Sequence, residues 1–150
     1  MKGIVYVIGC ILFIGVIALM IIFAGVPFGA FMQYAALVVL ILPVFFLLVP
    51  VYSLSGFFRN IAIAFGKQAD VNEIRQAIEF IKHVSKMLHI TSFIGALVGV
   101  IAMLTNLKDP DSVGYGVATL LLVILYNLIL QAGFVLPLKA KLKMKLIESE

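Results

Sequence analysis

ITSFIGALVGVIAMLTNLKDPDSVGYGVATLLLVILYNLILQAGFVLPLKAK, residues 90–141, is the stretch that decides the fold of this chain. Its two apolar segments, 90–105 and 113–138, carry no charged residue, and a polar run at 106–112 separates them. A hydrocarbon core excludes such a charged loop. A helical crossing takes roughly 20 apolar residues; segment 113–138 is long enough, and segment 90–105 becomes long enough when two residues on each side are included. The stretch therefore predicts a hairpin of two membrane-length helices.

The composition extends this prediction to the whole chain. Of the 150 residues, 64% are hydrophobic and 12% are charged, and the mean hydropathy is +1.23. Soluble domains carry about 25% charged residues, and one helical crossing takes roughly 20 apolar residues. We predict an all-α membrane protein, a single domain with four transmembrane helices at about residues 3–25, 31–52, 88–107 and 113–137.

The positive charges predict the orientation of these spans. All but one of the 11 Lys and Arg residues lie at the N-terminus, in the connection 53–87 or in the basic tail 138–150. Because cytoplasmic loops are enriched in Lys and Arg, both termini and this helical connection are predicted to be cytoplasmic. The net charge of +4 then reflects membrane topology and contact with lipid headgroups, and it does not indicate nucleic-acid binding.

Local signals divide the chain between the spans. Pro43 predicts a kink inside the second helix, and Pro50 predicts its end. Residues 53–69 predict a short interfacial helix, which rests on lipid headgroups or contacts a cytoplasmic partner. Asp70 and Glu73 form a capping-box pattern, so a long third helix is predicted to begin in the cytoplasm and continue into the membrane.

After the polar run, Asp111 or Ser112 is expected to cap the fourth helix. The lysine-rich tail after Pro137 alternates in a way that fits neither the helical nor the strand period. We interpret its lysines as anchors of the membrane topology.

Small and polar residues lie on two helix faces. The third helix carries Ser92, Gly95, Ala96 and Gly99, and the fourth carries Thr119, Val123, Asn127 and Gln131 at intervals of four residues. Small residues allow close helix packing, and amides within a membrane need hydrogen-bond partners. Two interpretations stay open: these residues stabilise helix contacts, or they line an ion path.

The chain lacks the patterns of most catalytic and metal sites. There is no HExxH or CxxC spacing, phosphate loop or nucleophile elbow, and the histidines are His83 and His89. We expect no metal, no cofactor and no enzymatic activity, since a lipid-processing enzyme would depend on those two histidines alone. His89 is expected at the membrane interface. The predicted spans contain no Asp, Glu, Lys or Arg, so ion conduction would need an ionisable group from a second protein.

A series of short segments follows in a characteristic order: FIGALVGVIAML at 93–104, NLKDP at 106–110, GYGVA at 114–118, LY at 125–126 and LPL at 136–138. This order resembles the MotA/TolQ/ExbB proton-channel family. The four-span layout is similar to MotA, although the cytoplasmic connection is much shorter. The chain thus looks like a short, divergent MotA-like member.

The resemblance implies a homopentamer in the bacterial inner membrane. Its third and fourth helices would surround a dimer of a MotB- or ExbD-like single-span protein that carries the essential aspartate. Proton or sodium flow through such a stator drives mechanical work. The alternative is a non-conducting oligomeric scaffold that holds a partner helix or lipid.

Three positions depart from the family pattern: His89 replaces a proline, Ile124 a threonine and Asn127 a glycine. With Ile124 added, the candidate pore-lining or partner-facing residues are Ser92, Gly95, Ala96, Gly99, Thr119, Val123, Ile124, Asn127 and Gln131.

Overall fold

A computed structural model describes residues 2–25, 27–66 and 68–149, and it confirms the all-α prediction because these residues contain helices and no strand. The elements are α1 (Lys2–Phe23), a 3-10 turn (Phe28–Phe31), α2 (Tyr34–Tyr52), α3 (Leu54–Phe65), α4 (Val71–Thr105), α5 (Pro110–Leu130), a π segment (Gln131–Val135) and α6 (Leu136–Ser149).

Among the described residues, three helical stretches are long and apolar enough to cross a membrane: Gly29–Tyr52, Val71–Thr105 and Pro110–Glu148. They contain most of the second, third and fourth predicted spans. The apolar stretch described within α1 is Ile11–Phe23, which is shorter than a membrane crossing. A first crossing at 3–25 and the cytoplasmic position of the termini stay predictions.

Helix α4 confirms the long third helix. It begins at the predicted capping box, in which the Asp70 backbone N–H donates to Glu73 Oε2 at 3.3 Å. Its 35 residues continue without interruption to Thr105, a length of about 52 Å at 1.5 Å per residue. One rigid element therefore joins the charged N-terminal half of α4 to its membrane-length apolar half.

Helices α4 and α5 form the predicted hairpin, and their backbones meet at two glycines. A Cβ atom added to Gly99 would lie 3.0 Å from the Gly116 carbonyl oxygen, and one added to Gly116 would lie 3.0 Å from the Gly99 carbonyl oxygen. One turn away, a Cβ on Gly95 would lie 3.0 Å from Val123 Cγ1. The small residues of α4 thus pack against α5 of the same chain.

Helix α2 packs against both members of this hairpin and continues through Pro43 and two residues past Pro50. It ends where Ser53 adopts a positive φ of 59°. Pro43 has no N–H to offer the carbonyl of Val39. Close to this site the Thr91 hydroxyl of α4 donates to the Met87 carbonyl of its own helix at 2.9 Å and lies 3.4 Å from the Leu40 carbonyl, so α4 and α2 are in contact there.

The other end of the molecule is a small bundle of α3, α6 and the N-terminal half of α4, which we call the basic-end bundle. Its core contains Ile63, Ile74, Phe80 and Leu142, and the rings of Phe57 and Phe80 lie 5.2 Å apart. Helix α3, predicted as an interfacial helix, buries one face against α4 and α6. Its opposite face exposes Leu54, Phe58 and Phe65.

Two boundaries differ from the predictions. The fourth helix begins at Pro110 and its N-cap is Asp109, not Asp111 or Ser112, because proline is well suited to the first helical position. The tail is helical, because Leu138 and Leu142 lie one turn apart and pack against α4. Its lysines lie on the remaining faces, and Lys141 donates to the Phe65 carbonyl at the end of α3, at 3.1 Å.

The contact between Gly99 and Gly116 predicts that an alanine substitution destabilises the protein at Gly99 and does not do so at Gly114. Gly99→Ala should lower the free energy of unfolding by about 1–3 kcal/mol, since the added methyl group meets backbone atoms that cannot move independently. Gly114→Ala is the matched control, because a Cβ there meets nothing within 4 Å and alanine favours the helix. Thermal unfolding in detergent measures both. An equally stable Gly99→Ala protein would contradict the close contact.

The α5 cap predicts a pH dependence. Hydrogen bonds from the Ser112 hydroxyl and from the Asp111 backbone N–H hold the pKa of the Asp109 carboxyl below its usual value. The cap therefore stabilises α5 above the unfolded pKa, and this stability is lost as the pH falls through the lower folded pKa. We expect the hydrogen-exchange protection factors at 111 and 112 to fall in acid. Asp109→Asn, which still accepts hydrogen bonds, should remove the pH dependence.

Candidate functional site

The structure separates the sequence-predicted site residues into two groups. Six are buried inside the chain: Ser92, Gly95, Gly99, Val123, Asn127 and Gln131. Ala96 and Thr119 are half-buried, and Ile124 is 39% exposed. The buried six contact the chain's own helices, which favours the helix-contact interpretation for this group. A role for any of the nine in a pore stays a prediction.

Residues at intervals of four along α5 and into the first position of the π segment form what we call the α5 polar row: Thr119, Asn127 and Gln131, with Val123 between the first two. Each polar member lies at a different level of the bundle. Thr119 is nearest the 106–109 loop, which marks the loop end of the molecule, and Gln131 is nearest the basic-end bundle. The row thus runs along the interior of a single chain.

At the loop end, Thr119 belongs to a cluster that joins α5 to the start of α2. Gln33 Nε2 donates to Thr119 Oγ1 at 2.7 Å, and the Gln33 backbone N–H donates to the Tyr126 hydroxyl at 3.2 Å. The Tyr126 hydroxyl in turn donates to the Phe31 carbonyl. Sequence reasoning missed Gln33, although its signal was present, because it is the sole side-chain amide before Asn60.

At the other end, Gln131 joins α5 to α4. The Ser85 hydroxyl donates to Gln131 Oε1 at 2.9 Å, and Gln131 Nε2 donates to the Ser85 carbonyl at 3.1 Å. Gln131 Nε2 also lies 3.2 Å from Nδ1 of His89, whose side chain is exposed. The predicted interfacial histidine therefore belongs to a cluster that closes the row toward the basic-end bundle.

Between these clusters the row contains one polar and one apolar level. Asn127 is 5% exposed, and its Oδ1 atom has no hydrogen-bond partner among the described residues. Val123, one turn away, is fully buried. A Cβ added to Gly95 would lie 3.0 Å from Val123 Cγ1 and 3.1 Å from Val39 Cγ1. We call these three residues the valine layer.

The α5 helix changes its hydrogen bonding where the row ends. From Gln131 the chain forms a π segment, and the Leu136 backbone N–H donates to the Gln131 carbonyl five residues earlier. A Cβ added to Gly133 would lie 3.2 Å from a ring carbon of Phe13, so α1 packs closely here. Single π turns are frequent at functional sites. The wider turn also explains why the helix continues past Pro137, where we predicted its end.

No charged residue lies in α2, in residues 90–105 of α4 or in residues 113–130 of α5. No group of three or more His, Cys, Asp or Glu side chains among the described residues is placed to hold a metal ion. An open cleft at the basic end is lined by both signs of charge, with Arg59 paired to Glu73 and with Lys145 nearby. The interior therefore offers hydroxyl and amide groups as its polar atoms.

The Gln131 cluster predicts a measurable loss of stability. Gln131→Leu should lower the free energy of unfolding by about 1–2 kcal/mol, because hydrogen bonds within a membrane contribute roughly 0.6–2 kcal/mol each and Ser85 loses its partner. The matched control is Gln76→Leu, the same substitution at an exposed position of α4. Thermal unfolding in detergent compares the two. Equal stabilities would mean that the cluster contributes nothing.

Comparison with known proteins adds one partial match. No protein-family model matches the chain. Over 50 residues the chain is 48% identical to Motility protein A of Aquifex aeolicus; this segment is 33% of the present chain and 20% of that protein. The match therefore spans about a fifth of the relative's length. It supports a MotA-like relationship for that segment, and with three membrane-length helices it points to a multi-pass membrane protein related to motility stators.

Proposed function

We propose that the chain is one subunit of an oligomeric, pentameric ion channel or motor of the MotA type in the bacterial inner membrane. In this proposal, proton or sodium flow is coupled to mechanical work together with a MotB- or ExbD-like single-span partner that carries an aspartate. The observation that carries it is the 48% identity to Motility protein A over 50 residues. The activity is transport, with no catalytic residue and no cofactor.

The hairpin of α4 and α5 is suited to line the centre of such a ring. Its backbones meet at Gly99 and Gly116, so the two helices move as one unit. Its outward surface is apolar and available to lipid, a second copy or a partner helix. The exposed side chains on this surface include Phe93, Leu97, Ile101, Leu121, Ile124 and Leu128.

The proposal requires a partner for a chemical reason. The membrane-length part of the hairpin contains no Asp, Glu, Lys or Arg, and a proton or sodium carrier needs such a group within the bilayer. The aspartate of a partner helix would supply it. Ala96, Thr119 and Ile124, which are not fully buried, are the sequence-predicted positions best placed to face such a helix.

Helix α4 provides a physical route from ion flow to motion. It joins the α5 contact at Gly99 to the basic-end bundle around Ile74 and Phe80 without a break in the helix. A tilt of the hairpin would therefore displace the bundle, where α3 exposes its apolar face. We propose that this bundle delivers the mechanical output.

The second candidate is a non-conducting scaffold with the same oligomeric architecture. The observation that favours it is the valine layer, in which Val123 is fully buried and packs closely on Gly95. Such a subunit would hold a partner helix or lipid at its centre. The two candidates differ in ion flux and agree in assembly.

Native mass spectrometry in nanodiscs, with and without an adjacent-gene single-span protein that carries a membrane aspartate, tests the assembly. We expect five copies of this chain with two copies of the partner. A monomer or dimer under both conditions would overturn the ring.

Proton and sodium flux into proteoliposomes then separates motor from scaffold. We expect flux through the complex and its loss when the partner's aspartate is changed to asparagine, with the mass of the complex unchanged. An intact complex whose flux equals that of protein-free vesicles would identify the scaffold.

A further inference from the structure

His89 lies where the charge-free part of α4 begins, and the proposed function gives this side chain no role. It is the last titratable residue of α4 before the apolar segment 90–105. Its side chain is exposed, and its ring lies beside Gln131, the last member of the α5 polar row. An ion that leaves the membrane-length part of the hairpin toward the basic-end bundle therefore passes the level of this imidazole.

His89 also lies on the side of the hairpin that α2 does not cover. Spacings of three and four residues place two sets of side chains along this side, which we call the open seam between α4 and α5. They are His89, Phe93 and Ala96 on α4, and Ile124, Leu128 and Gln131 on α5 and the π segment. Helix α2 packs on another face of α4, where Thr91 lies 3.4 Å from the Leu40 carbonyl. The open seam is thus available to a partner helix, and His89 lies at its basic end.

The contacts of His89 determine which ring nitrogen can accept a proton. Nδ1 lies 2.8 Å from the Ser85 carbonyl oxygen, and because a carbonyl can only accept, Nδ1 carries the hydrogen. Gln131 Nε2 donates to the same carbonyl at 3.1 Å, so its 3.2 Å approach to Nδ1 is a contact between two donors. Nε2 of His89 keeps its lone pair and makes no hydrogen bond to the described residues. It can accept a proton without displacing the ring.

The surroundings of His89 differ from those of the other histidine of α4. The charged residue nearest to His89 along α4 is Lys86, and the stretch 127–138, which contains Gln131, has no titratable residue. His83 likewise contacts the carbonyl four residues earlier, with Nδ1 2.9 Å from the Glu79 oxygen. However, its ring lies on another side of α4, where the Tyr52 hydroxyl is 2.7 Å from Nδ1. His83 is therefore a matched control that lies away from the open seam.

We propose that His89 accepts protons from the aspartic acid of the partner helix and releases them to water at the basic end. Nε2 takes the proton and the carboxylic acid becomes a carboxylate; the imidazolium then returns the proton to water, while Nδ1 keeps its bond to Ser85. An imidazole takes up protons near neutral pH, whereas hard cations prefer oxygen ligands, so the carried ion is the proton. This proposal rests on the proposed function and adds the ion and its acceptor.

The test is proton flux into proteoliposomes that contain the full-length chain with its single-span partner. His89→Gln keeps a neutral polar side chain of similar size and removes the proton acceptor. We expect the proton flux to fall about tenfold or more, because a positioned acid–base group commonly contributes at least this factor. His83→Gln should conduct at the wild-type rate. Native mass spectrometry should show the same assembly for both variants.

Two further measurements distinguish proton transfer from a structural role. Imidazole added to the His89→Ala complex should restore proton flux, and it should restore none to the complex in which the partner's aspartate is changed to asparagine. The wild-type flux should fall as the compartment at the basic end is acidified from about pH 8 to pH 5, because a protonated imidazole cannot accept another proton. His89→Gln should lack this fall.

An assembled His89→Gln complex with wild-type proton flux would overturn the proposal, and so would a wild-type complex that carries sodium and no protons. Both results leave the proposed motor in place. Loss of flux that imidazole does not restore would show a structural role and would also overturn the proposal. A wild-type complex without any ion flux would overturn the motor together with this proposal. If His89→Gln does not assemble, His89→Ala with and without imidazole takes its place with the same expected outcomes.

Discussion

The contact between Gly99 and Gly116 is the constraint on which the rest of the structure depends. In a bilayer the apolar surfaces of helices gain little by leaving lipid, so close packing and hydrogen bonds must hold the helices together. Here a Cβ atom added to either glycine would lie 3.0 Å from the carbonyl oxygen of the other, so the two backbones are in close contact. This approach sets the separation of α4 and α5, and it brings the Ser85 and Gln131 side chains within hydrogen-bond distance of each other.

The second constraint is that polar side chains within a membrane need hydrogen-bond partners, and it explains why the side-chain amides lie between helices of the chain. Gln33 and Gln131 each join α5 to a different helix, α2 at one end and α4 at the other. Each helix pair is therefore fixed near one end by a polar cluster and elsewhere by small or branched apolar side chains. The same arrangement leaves Asn127 Oδ1, in the middle of the row, without a hydrogen-bond donor among the described residues.

The sequence predicted the elements whose signals are local. The charge-free segments around 106–112 predicted the hairpin, and Asp70 with Glu73 predicted the start of α4. Contacts between distant residues could not be predicted in the same way. The glycines of α4 indicated a close helix neighbour without identifying it, and Gln33 pairs with Thr119 across 86 positions. The packing of α3 depends on α6, which the lysine-rich tail sequence did not reveal as a helix.

The π segment has a consequence for how this chain can vary. A π turn holds one residue more than an α turn would, so it rotates everything that follows about the helix axis. In this chain that rotation directs Leu138 and Leu142 onto α4. If residues 131–135 formed an ordinary α-helix with no residue removed, α6 would be turned by about 100°, given 3.6 residues per turn. Lysines would then point at the α4 core. Loss of one residue from this segment, with a return to an ordinary α-helix, would instead keep the same face of α6 toward α4, so the chain can shorten here by the one residue that the π turn takes up.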